Sequence, residues 1–188
     1  DASGLTYESL TIDLLELYGK PLPCLPAPKE DDHRCYLAIF PGDLLADLYQ
    51  RHGASLLELN VRSFLQARGK VNRGLRNTLK DEPHRFLAYN NGISVTAEAV
   101  ELVDCSKGGG KGISRLTGMQ IVNGGQTVAS IHRAKTRDSS DLSRVQVHAK
   151  ITEVESEMLG TLVPKISRYT NTQNKVNETD FSANHPYH

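Results

Sequence analysis

Apolar residues recur along this chain with two different periods, which predict strands and helices in alternation. Short apolar or β-branched runs predict strands at residues 36–40, 93–103, 119–122 and 145–151. Apolar residues at helical spacing predict helices at residues 10–18, 41–49, 71–80, 126–137 and 155–169, with Pro164 bending or dividing the last one. Because the two kinds of element interleave, the sequence predicts an α/β or α+β fold with a mixed sheet and flanking helices.

Charge and proline content divide the chain near residue 32. Residues 1–32 carry seven acidic residues against two lysines, and residues 21–28 are rich in proline. We therefore predict an acidic N-terminal helical segment and a Pro-rich linker over residues 1–32, followed by one α/β module over residues 33–188. A new polar helix-start signal, Thr179-Asp180, lies close to residue 188, so we expect the module to be truncated at its C-terminus.

The net charge predicts no general attraction to a polyanion, but the distribution of charge is uneven. The 22 basic and 22 acidic residues cancel. Residues 60–80, however, carry six basic residues and no acidic one. Such a run is commonly a solvated surface, and a run free of acids is also a candidate for phosphate contact.

The cysteine pattern and the hydropathy favour the cytoplasm. Cys24, Cys35 and Cys105 are odd in number and widely spaced, which argues against a disulfide framework and for a reducing compartment. The sequence contains no CxxC or HExxH pattern, so it predicts no metal site. No apolar run approaches the roughly 20 residues of a membrane helix, so we expect no membrane partner.

The most informative local pattern is a glycine corner at residues 121–127. A strand-like apolar run ends at Val122, the pair Gly124-Gly125 follows, and a predicted helix comes next. A glycine pair permits a sharp turn and leaves no Cβ to block a ligand, while the first amides of a helix are unpaired and electropositive. The corner therefore predicts phosphate binding, with an ordinary strand-turn-helix connection as the alternative.

Asparagine and glutamine outnumber carboxylates at the predicted joints between elements. Carboxamides donate and accept hydrogen bonds without charge, so several together can bind a base edge or a ribose while Arg62 and helix amides bind phosphate. The alternative is that each asparagine caps a helix or fills a turn. The candidate nucleotide- or phosphate-binding residues are Asn60, Arg62, Asn72, Asn90, Asn91, Gly92, Asn123, Gly124, Gly125, Gln126, Thr127, Asn171, Gln173 and Asn174.

The sequence assigns no catalytic residue. No closely spaced pair of acids adjoins the glycine corner, so a two-metal nuclease centre is not visible, and no Ser-His-Asp or Cys-His arrangement stands out. His132, six residues beyond Gln126, is a candidate general base. The alternative is a half-buried or surface histidine of the predicted helix.

Several of these motifs in series resemble one known family. The strings are LELNVRSFL at residues 57–65, Val71-Asn72, Thr78-Leu79, Phe86, NNGI at residues 90–93, IVNGGQT at residues 121–127 and NTQN at residues 171–174. In this order and spacing they resemble the bacterial abortive infection phage resistance (AIPR) family over residues 36–184. The resemblance implies a role in anti-phage defence, often beside restriction-type nuclease partners, and implies no well-settled activity.

Residues 121–134 also resemble, more loosely, the strand-Asp-Gly-helix corner of the ParB and sulfiredoxin-like superfamily. Members of that superfamily bind nucleotides or DNA, and some hydrolyse nucleotides. Asn60-Val61-Arg62 is similar to the Asn-x-Arg element of ParB-like proteins. The sequence departs from the pattern because Asn123 stands where the corner normally has Asp, and Gln126-Thr127 where many relatives have His-Arg. The resemblance implies a ParB/sulfiredoxin-like core without the acid of the corner.

The sequence thus predicts a nucleotide- or nucleic-acid-binding module of a cytoplasmic anti-phage defence protein. One alternative is a ParB-like nucleotidase or nuclease, which would need Mg²⁺ held mostly by substrate phosphates. The other alternative is a protein-interaction scaffold that senses a phage component, in which the asparagines act only as caps and turn residues.

Overall fold

A computed structural model describes residues 9–58, 61, 72–106 and 108–172. The strands in this part of the chain are β1 (Thr11–Asp13), β2 (Leu22–Pro26), β3 (His33–Pro41), β4 (Ile93–Ala97), β5 (Ala99–Asp104), β6 (Lys111–Thr117), β7 (Gln120–Asn123) and β8 (Gln146–Val154). The helices are α1 (Leu14–Tyr18), α2 (Gly42–His52), α3 (Arg73–Asp81), α4 (Phe86–Tyr89), α5 (Gly125–Thr136) and α6 (Leu159–Thr172). The predicted mixed α/β class is confirmed.

The strands form one curled, mixed sheet in the order β1-β6-β2-β3-β8-β4-β7, and β5 pairs with β6 outside this order. Strands β4 and β8 run parallel, and β3 pairs with β8 antiparallel along its whole length. Only Glu98 separates β4 from β5, yet the two strands pair with distant parts of the sheet. The sheet therefore curls until β5 meets β8, where the Glu153 carboxylate accepts a 2.6 Å hydrogen bond from the Val100 amide.

The hydrophobic core lies between the inner face of this sheet and helices α2 and α5. Alternate residues of each strand point inward, so Phe40 of β3 and Val147 of β8 are completely buried. Leu45 of α2 and Ile131 of α5 are equally buried against them. Burying side chains of this size contributes about 1.5–3 kcal/mol each, and this contribution fixes which face of every strand is the outer one.

The N-terminal part of the chain differs from its prediction. The helix predicted at residues 10–18 is strand β1 followed by the short helix α1, because Asp13 accepts hydrogen bonds from the Leu15 and Glu16 amides and begins the helix there. The predicted Pro-rich linker contains β2, which pairs with β6 and β3. Pro23 pairs only with β6 and Pro26 only with β3, so each proline can turn its nitrogen to an unpaired side.

Two further elements differ from the sequence pattern. The long strand predicted at residues 93–103 is divided at Glu98 into β4 and β5, because the curl of the sheet requires a bend there. Strand β6 was not predicted, since its apolar residues Ile113 and Leu116 are separated by Ser114 and Arg115 without strict alternation. The strand pairs with β5 through an irregular register that accounts for the broken alternation.

The other predicted helices and strands match α2, α3, α5, α6, β3, β7 and β8 to within a few residues. Pro164 lies inside α6, as predicted. In the part of the chain that the structure describes, no helix is long and apolar enough to cross a membrane. The ParB/sulfiredoxin-like core stays a prediction.

Candidate functional site

The glycine corner is a left-handed turn between β7 and α5. Gly124 caps α5 with a φ of 87°, a conformation that favours glycine. A Cβ at this position would lie 2.7 Å from the Gly92 carbonyl oxygen and 2.7 Å from a methyl carbon of Ile93. The space that glycine leaves open is therefore filled by the protein's own backbone and side chains. At Gly124, packing explains the glycine without any ligand.

The turn at residues 90–92 packs directly against this corner. The Asn90 side-chain oxygen accepts a 2.8 Å hydrogen bond from the Gly92 amide, and its amide nitrogen donates a 3.1 Å bond to the Thr127 hydroxyl. Gly92 has a φ of 78°, and a Cβ there would collide with the ring and the carbonyl oxygen of His148. Asn90 thus links the turn to the first turn of α5 and uses both ends of its carboxamide within the protein.

Asn123 and Asn171 form a second link, between β7 and the end of α6. The Asn123 amide nitrogen donates to the Thr170 carbonyl oxygen (2.8 Å) and to the Asn171 side-chain oxygen (3.0 Å). The Asn171 amide nitrogen donates in turn to the carbonyl oxygens of Val122 and Ser167. Both partners of Asn123 are acceptors, so this position requires a donor. An aspartate would place a carboxylate against two oxygens, so the contacts at this position favour asparagine.

The N-terminus of α5 keeps hydrogen-bond donors that have no partner among the described residues. The Thr127 amide donates to the Gly124 carbonyl oxygen at 3.0 Å, as the first turn closes. Among the described residues, the Gly125 and Gln126 amides and the half-buried Gln126 side chain have no hydrogen-bond partner. Gly125 itself is buried, so Gln126 is the accessible group of this helix start.

The remaining candidates lie elsewhere or cannot be placed. Asn72 is exposed and caps α3 by accepting a 3.2 Å hydrogen bond from the Leu75 amide, away from the corner. Asn60, Arg62, Gln173 and Asn174 lie outside the described residues. The structure therefore brings together Asn90, Asn91, Gly92, Asn123, Gly124, Gly125, Gln126, Thr127 and Asn171.

Beside the corner, an open groove of about 770 Å³ runs across the outer face of β2, β3, β8 and β4. We call it the outer-face groove. Its apolar end is formed by Tyr18, Pro23, Leu37 and Ile39, and its polar end by Asn91, Ser94, Gln146, His148 and Lys150. Leu37 is 54% exposed and Ile39 48%, although both are large apolar residues in the middle of a sheet.

Strand register explains how the two ends meet. Leu37 lies opposite Lys150, which lies opposite Ser94, which lies opposite Asn123 at the glycine corner. In the neighbouring row Ile39 lies opposite His148, whose ring packs on Gly92. The polar end of the groove is thus continuous with the glycine corner. Asn91 belongs to both, because it is exposed on the turn and lines the groove.

Electrostatically, the outer-face groove is free of acids. None of its lining residues carries a carboxylate, and Lys150 is exposed with no ion-pair partner among the described residues. An adjoining cavity of about 300 Å³ lies beside α6 and shares Lys150 with the groove. It adds Lys165 and again no carboxylate. An anion can therefore approach this face without repulsion from its walls.

Sequence reasoning missed His148, Lys150 and Gln146. The signal was present in β8, where Val147, Ala149 and Ile151 alternate with polar residues. That alternation indicates one outward-facing row of polar side chains, but it does not show which neighbouring strand supplies the rest of a groove. The apolar partners on β3 come from more than 100 residues earlier in the chain.

A separate basic surface lies on α3 and at the C-terminal end of α5. Arg76 of α3 pairs with Asp138 through two hydrogen bonds of 3.1 and 3.2 Å, so one base of the acid-free run is neutralised by an acid from elsewhere. Arg73, Lys80 and Arg137 are exposed and have no carboxylate partner among the described residues. This surface therefore carries positive charge that no acid among the described residues neutralises.

His132 lies between α5 and α2 rather than in the groove. Its ring nitrogen Nε2 is 2.6 Å from the Gln50 side-chain oxygen, and its ring packs 4.9 Å from that of Tyr49. Burial lowers the pKa of His132 below its ordinary value. Among the described residues, no group of three or more His, Cys, Asp or Glu side chains is placed to hold a metal ion.

A comparison with protein families gives one match. A family model described as AIPR protein matches residues 57–188, more than half of the chain. No curated protein and no solved structure matches the chain. The matched range contains the glycine corner and the polar end of the outer-face groove, whereas β2 and β3, which supply most of the apolar end, precede it.

Proposed function

The chain belongs to the AIPR (abortive infection phage resistance) family, which indicates an anti-phage defence protein, and from this premise we propose that it contains a nucleotide- or nucleic-acid-binding module. The binding site in this proposal is the polar end of the outer-face groove, where it meets the glycine corner. The observation that carries the proposal is that Lys150, His148 and Asn91 line the polar end of a groove whose lining contains no carboxylate.

The chemistry of these side chains suits the parts of a nucleotide. The Lys150 ammonium provides a point charge for a phosphate. The carboxamides of Asn91 and Gln146 can both donate to and accept from a base edge or a ribose. Neither has a side-chain hydrogen-bond partner among the described residues, in contrast to Asn90 and Asn123.

Glu153, Glu98 and Asp13 belong to other parts of the fold. Glu153 holds the curl of the sheet, Glu98 accepts from Ser9, and Asp13 caps α1. None of them lines the groove. The proposal therefore concerns binding, and hydrolysis would require groups beyond those that line this groove.

Fluorescence polarisation with labelled ATP, GTP and a short mixed-sequence oligonucleotide tests the proposal. We expect at least one of these probes to bind, and the double substitution of Asn91→Ala with Lys150→Ala to weaken that binding by roughly fivefold or more. Arg51→Ala is the matched control, because Arg51 is an exposed base on α2 without a partner among the described residues. It should change the affinity less than about twofold.

Two results would count against the proposal. The first is the absence of binding to every nucleotide and oligonucleotide probe at low ionic strength, where phosphate contacts are strongest. The second is binding that the groove variant and the Arg51 control weaken equally. Phosphate release from ATP with Mg²⁺ in the same samples would instead favour the alternative of a nucleotidase.

A further inference from the structure

We infer that the outer-face groove binds single-stranded nucleic acid, with bases against its apolar end and phosphates at its polar end. This inference rests on the proposed function and adds the class of nucleic acid to it. Two facts carry it: the aliphatic side chains are exposed on the sheet, and they lie directly opposite Lys150 and His148 on the neighbouring strand.

The exposed side chains at the apolar end favour a ligand with an apolar surface. Leu37 and Ile39 point outward from the middle of β3, and Leu25 beside them is 68% exposed. Leaving these side chains in water forgoes about 25 cal/mol for each Å² of apolar surface that a ligand would cover. Phosphate or sugar surface gives little of this gain. The face of an unpaired base gives much more, and Tyr18 at the same end offers a ring for stacking.

A duplex does not fit this requirement. In a double helix the base faces are stacked inside, and the phosphates form the outer surface that a protein first meets. A duplex over the groove would therefore place charged phosphates on Leu37 and Ile39. In a single strand the bases can turn towards the apolar end while the backbone follows the polar end.

The spacing between the two ends is that of neighbouring strands. Leu37 and Lys150 are a register pair on β3 and β8, and Ile39 and His148 are the next outward pair. Adjacent strands lie about 4.8 Å apart, so one nucleotide can contact an aliphatic side chain with its base and Lys150 with its phosphate.

Base-edge contacts are available at the polar end. Asn91 and Gln146 flank His148 on the wall of the groove, and carboxamides form paired hydrogen bonds with base edges that are free of a complementary strand. A peptide with carboxylates and aliphatic side chains would meet the same lysine, but the carboxamides of Asn91 and Gln146, which line the same groove, favour bases. The peptide is therefore included as a competing probe.

The test compares four fluorescein-labelled probes by polarisation: a mixed-sequence single strand of roughly 12 nucleotides, the same sequence as a duplex, ATP, and a peptide that alternates Glu and Leu. We expect the single strand to bind at least about tenfold more tightly than the duplex. Leu37→Ser with Ile39→Ser should weaken the single strand roughly fivefold or more. Lys150→Ala should reduce the dependence of its binding on salt by about one phosphate contact.

Controls separate this surface from the rest of the molecule. Lys80→Ala removes an exposed base from the surface of α3 and should leave the preference for single strands unchanged. The two serine substitutions replace exposed side chains, so the thermal transition should persist and binding can be compared between folded proteins.

Each other outcome overturns the inference. Equal or tighter binding of the duplex, or an unchanged affinity in the double serine variant, means that the apolar end does not contact bases. If Lys80→Ala weakens binding and Lys150→Ala does not, the contact lies on α3, and both the inference and the proposed binding site fail. If the duplex binds as tightly as the single strand while Asn91→Ala with Lys150→Ala still weakens binding, the inference fails and the proposed function stands. Binding of the peptide alone would overturn both and favour a protein-interaction surface.

Discussion

The glycine corner and the outer-face groove adjoin at Asn91 and Gly92, and both are rich in groups that could bind a nucleotide. In the corner, Asn90 and Asn123 make their hydrogen bonds within the protein, and the space beside Gly124 is filled by Gly92 and Ile93. In the groove, Asn91 and Lys150 have no such partners among the described residues. The same residue types therefore stabilise the fold at the glycine corner, whereas in the groove they keep hydrogen-bond donors and acceptors without a partner among the described residues.

In the proposed function, the corner therefore contributes by positioning the polar end of the groove rather than by contact with the ligand. Its links between β7, the Asn90 turn and α6 fix the polar end of the groove relative to α5. Variants of the corner should change stability, and variants of the groove should change affinity.

The largest expected effect is that of Gly124→Ala. A φ of 87° costs an L-residue about 1–2 kcal/mol, and the new Cβ would overlap the Gly92 carbonyl oxygen and Ile93. We expect the free energy of unfolding to fall by about 3 kcal/mol or more, measured by urea denaturation.

Gly19→Ala is the matched control for this substitution. Gly19 has a φ of 80°, but nothing lies within 4 Å of the position that a Cβ would take. It should therefore cost only the conformational part, about 1–2 kcal/mol. Equal effects of the two substitutions would contradict the claim that packing against Gly92 and Ile93 requires the glycine.

The second prediction concerns the Asn123 link. Asn123→Asp replaces a donor by a carboxylate that faces the Thr170 carbonyl oxygen and the Asn171 side-chain oxygen. We expect a loss of about 2–3 kcal/mol in the free energy of unfolding at neutral pH. Because the clash raises the pKa of the new carboxyl in the folded state, the loss should shrink as the pH falls and the carboxyl becomes protonated.

Asn91→Asp provides the comparison, since Asn91 is exposed and has no hydrogen-bond partner among the described residues. It should change stability by less than about 0.5 kcal/mol at any pH. A large stability effect at Asn91 with none at Asn123 would reverse the assignment of the two residues.

A smaller effect on the free energy of unfolding is expected when the pH is lowered and His132 becomes protonated. Burial lowers the pKa of His132 from its ordinary value of 6.5, so below that pH the unfolded chain takes up a proton that the folded protein resists. Stability from this group is present above pH 6.5 and is lost as the pH falls towards the lowered pKa. His132→Gln should reduce the difference in unfolding free energy between about pH 7.5 and about pH 5.5.

Part of that difference should remain in the variant, because burial and, to a lesser degree, Arg51 also lower the pKa of His52. A pH dependence that His132→Gln leaves unchanged would show that His132 is not buried in the manner described. His148 belongs to the groove, so His148→Gln serves as a control outside the α2 and α5 contact.

The smallest effect on stability is expected at the groove itself. Lys150→Ala removes an exposed side chain without a partner among the described residues, so the free energy of unfolding should change by less than about 0.5 kcal/mol. If thermal or urea denaturation shows a loss above 1 kcal/mol, Lys150 has a structural role, and the contrast between the corner and the groove disappears.

Much of the fold could be predicted because its strongest signals are local. The apolar alternation of β8, the Pro-Gly start of α2 and the helical spacing of α5 are written in short stretches of sequence. The curl of the sheet is not local. It is set by pairings such as β5 with β6 and β3 with β8, and no single stretch of sequence contains that information.

The candidate site divides in the same way. The sequence placed Asn90, Gly92, Asn123 and Gly124 near one another, and the structure brings them together. Whether an asparagine binds a ligand or a neighbouring carbonyl depends on residues such as Thr170, which lies far along the chain from Asn123. For that reason the groove residues His148 and Lys150 were not predicted, while Asn171 proved to be bonded to β7.

The pairing of β8 with β3 has a consequence for the synthesis of the protein and for its truncation. Its nine residues pair with β3, and the partners Pro41 and Gln146 are 105 positions apart in the chain. During synthesis β3 must wait several seconds for its partner, at about 5–20 residues per second. The range matched by the AIPR family model begins at residue 57, after β3. A protein that began at residue 57 would lack β3 and would expose one whole edge of β8, which favours aggregation. The start of the matched range is therefore not the boundary of an independently folding unit.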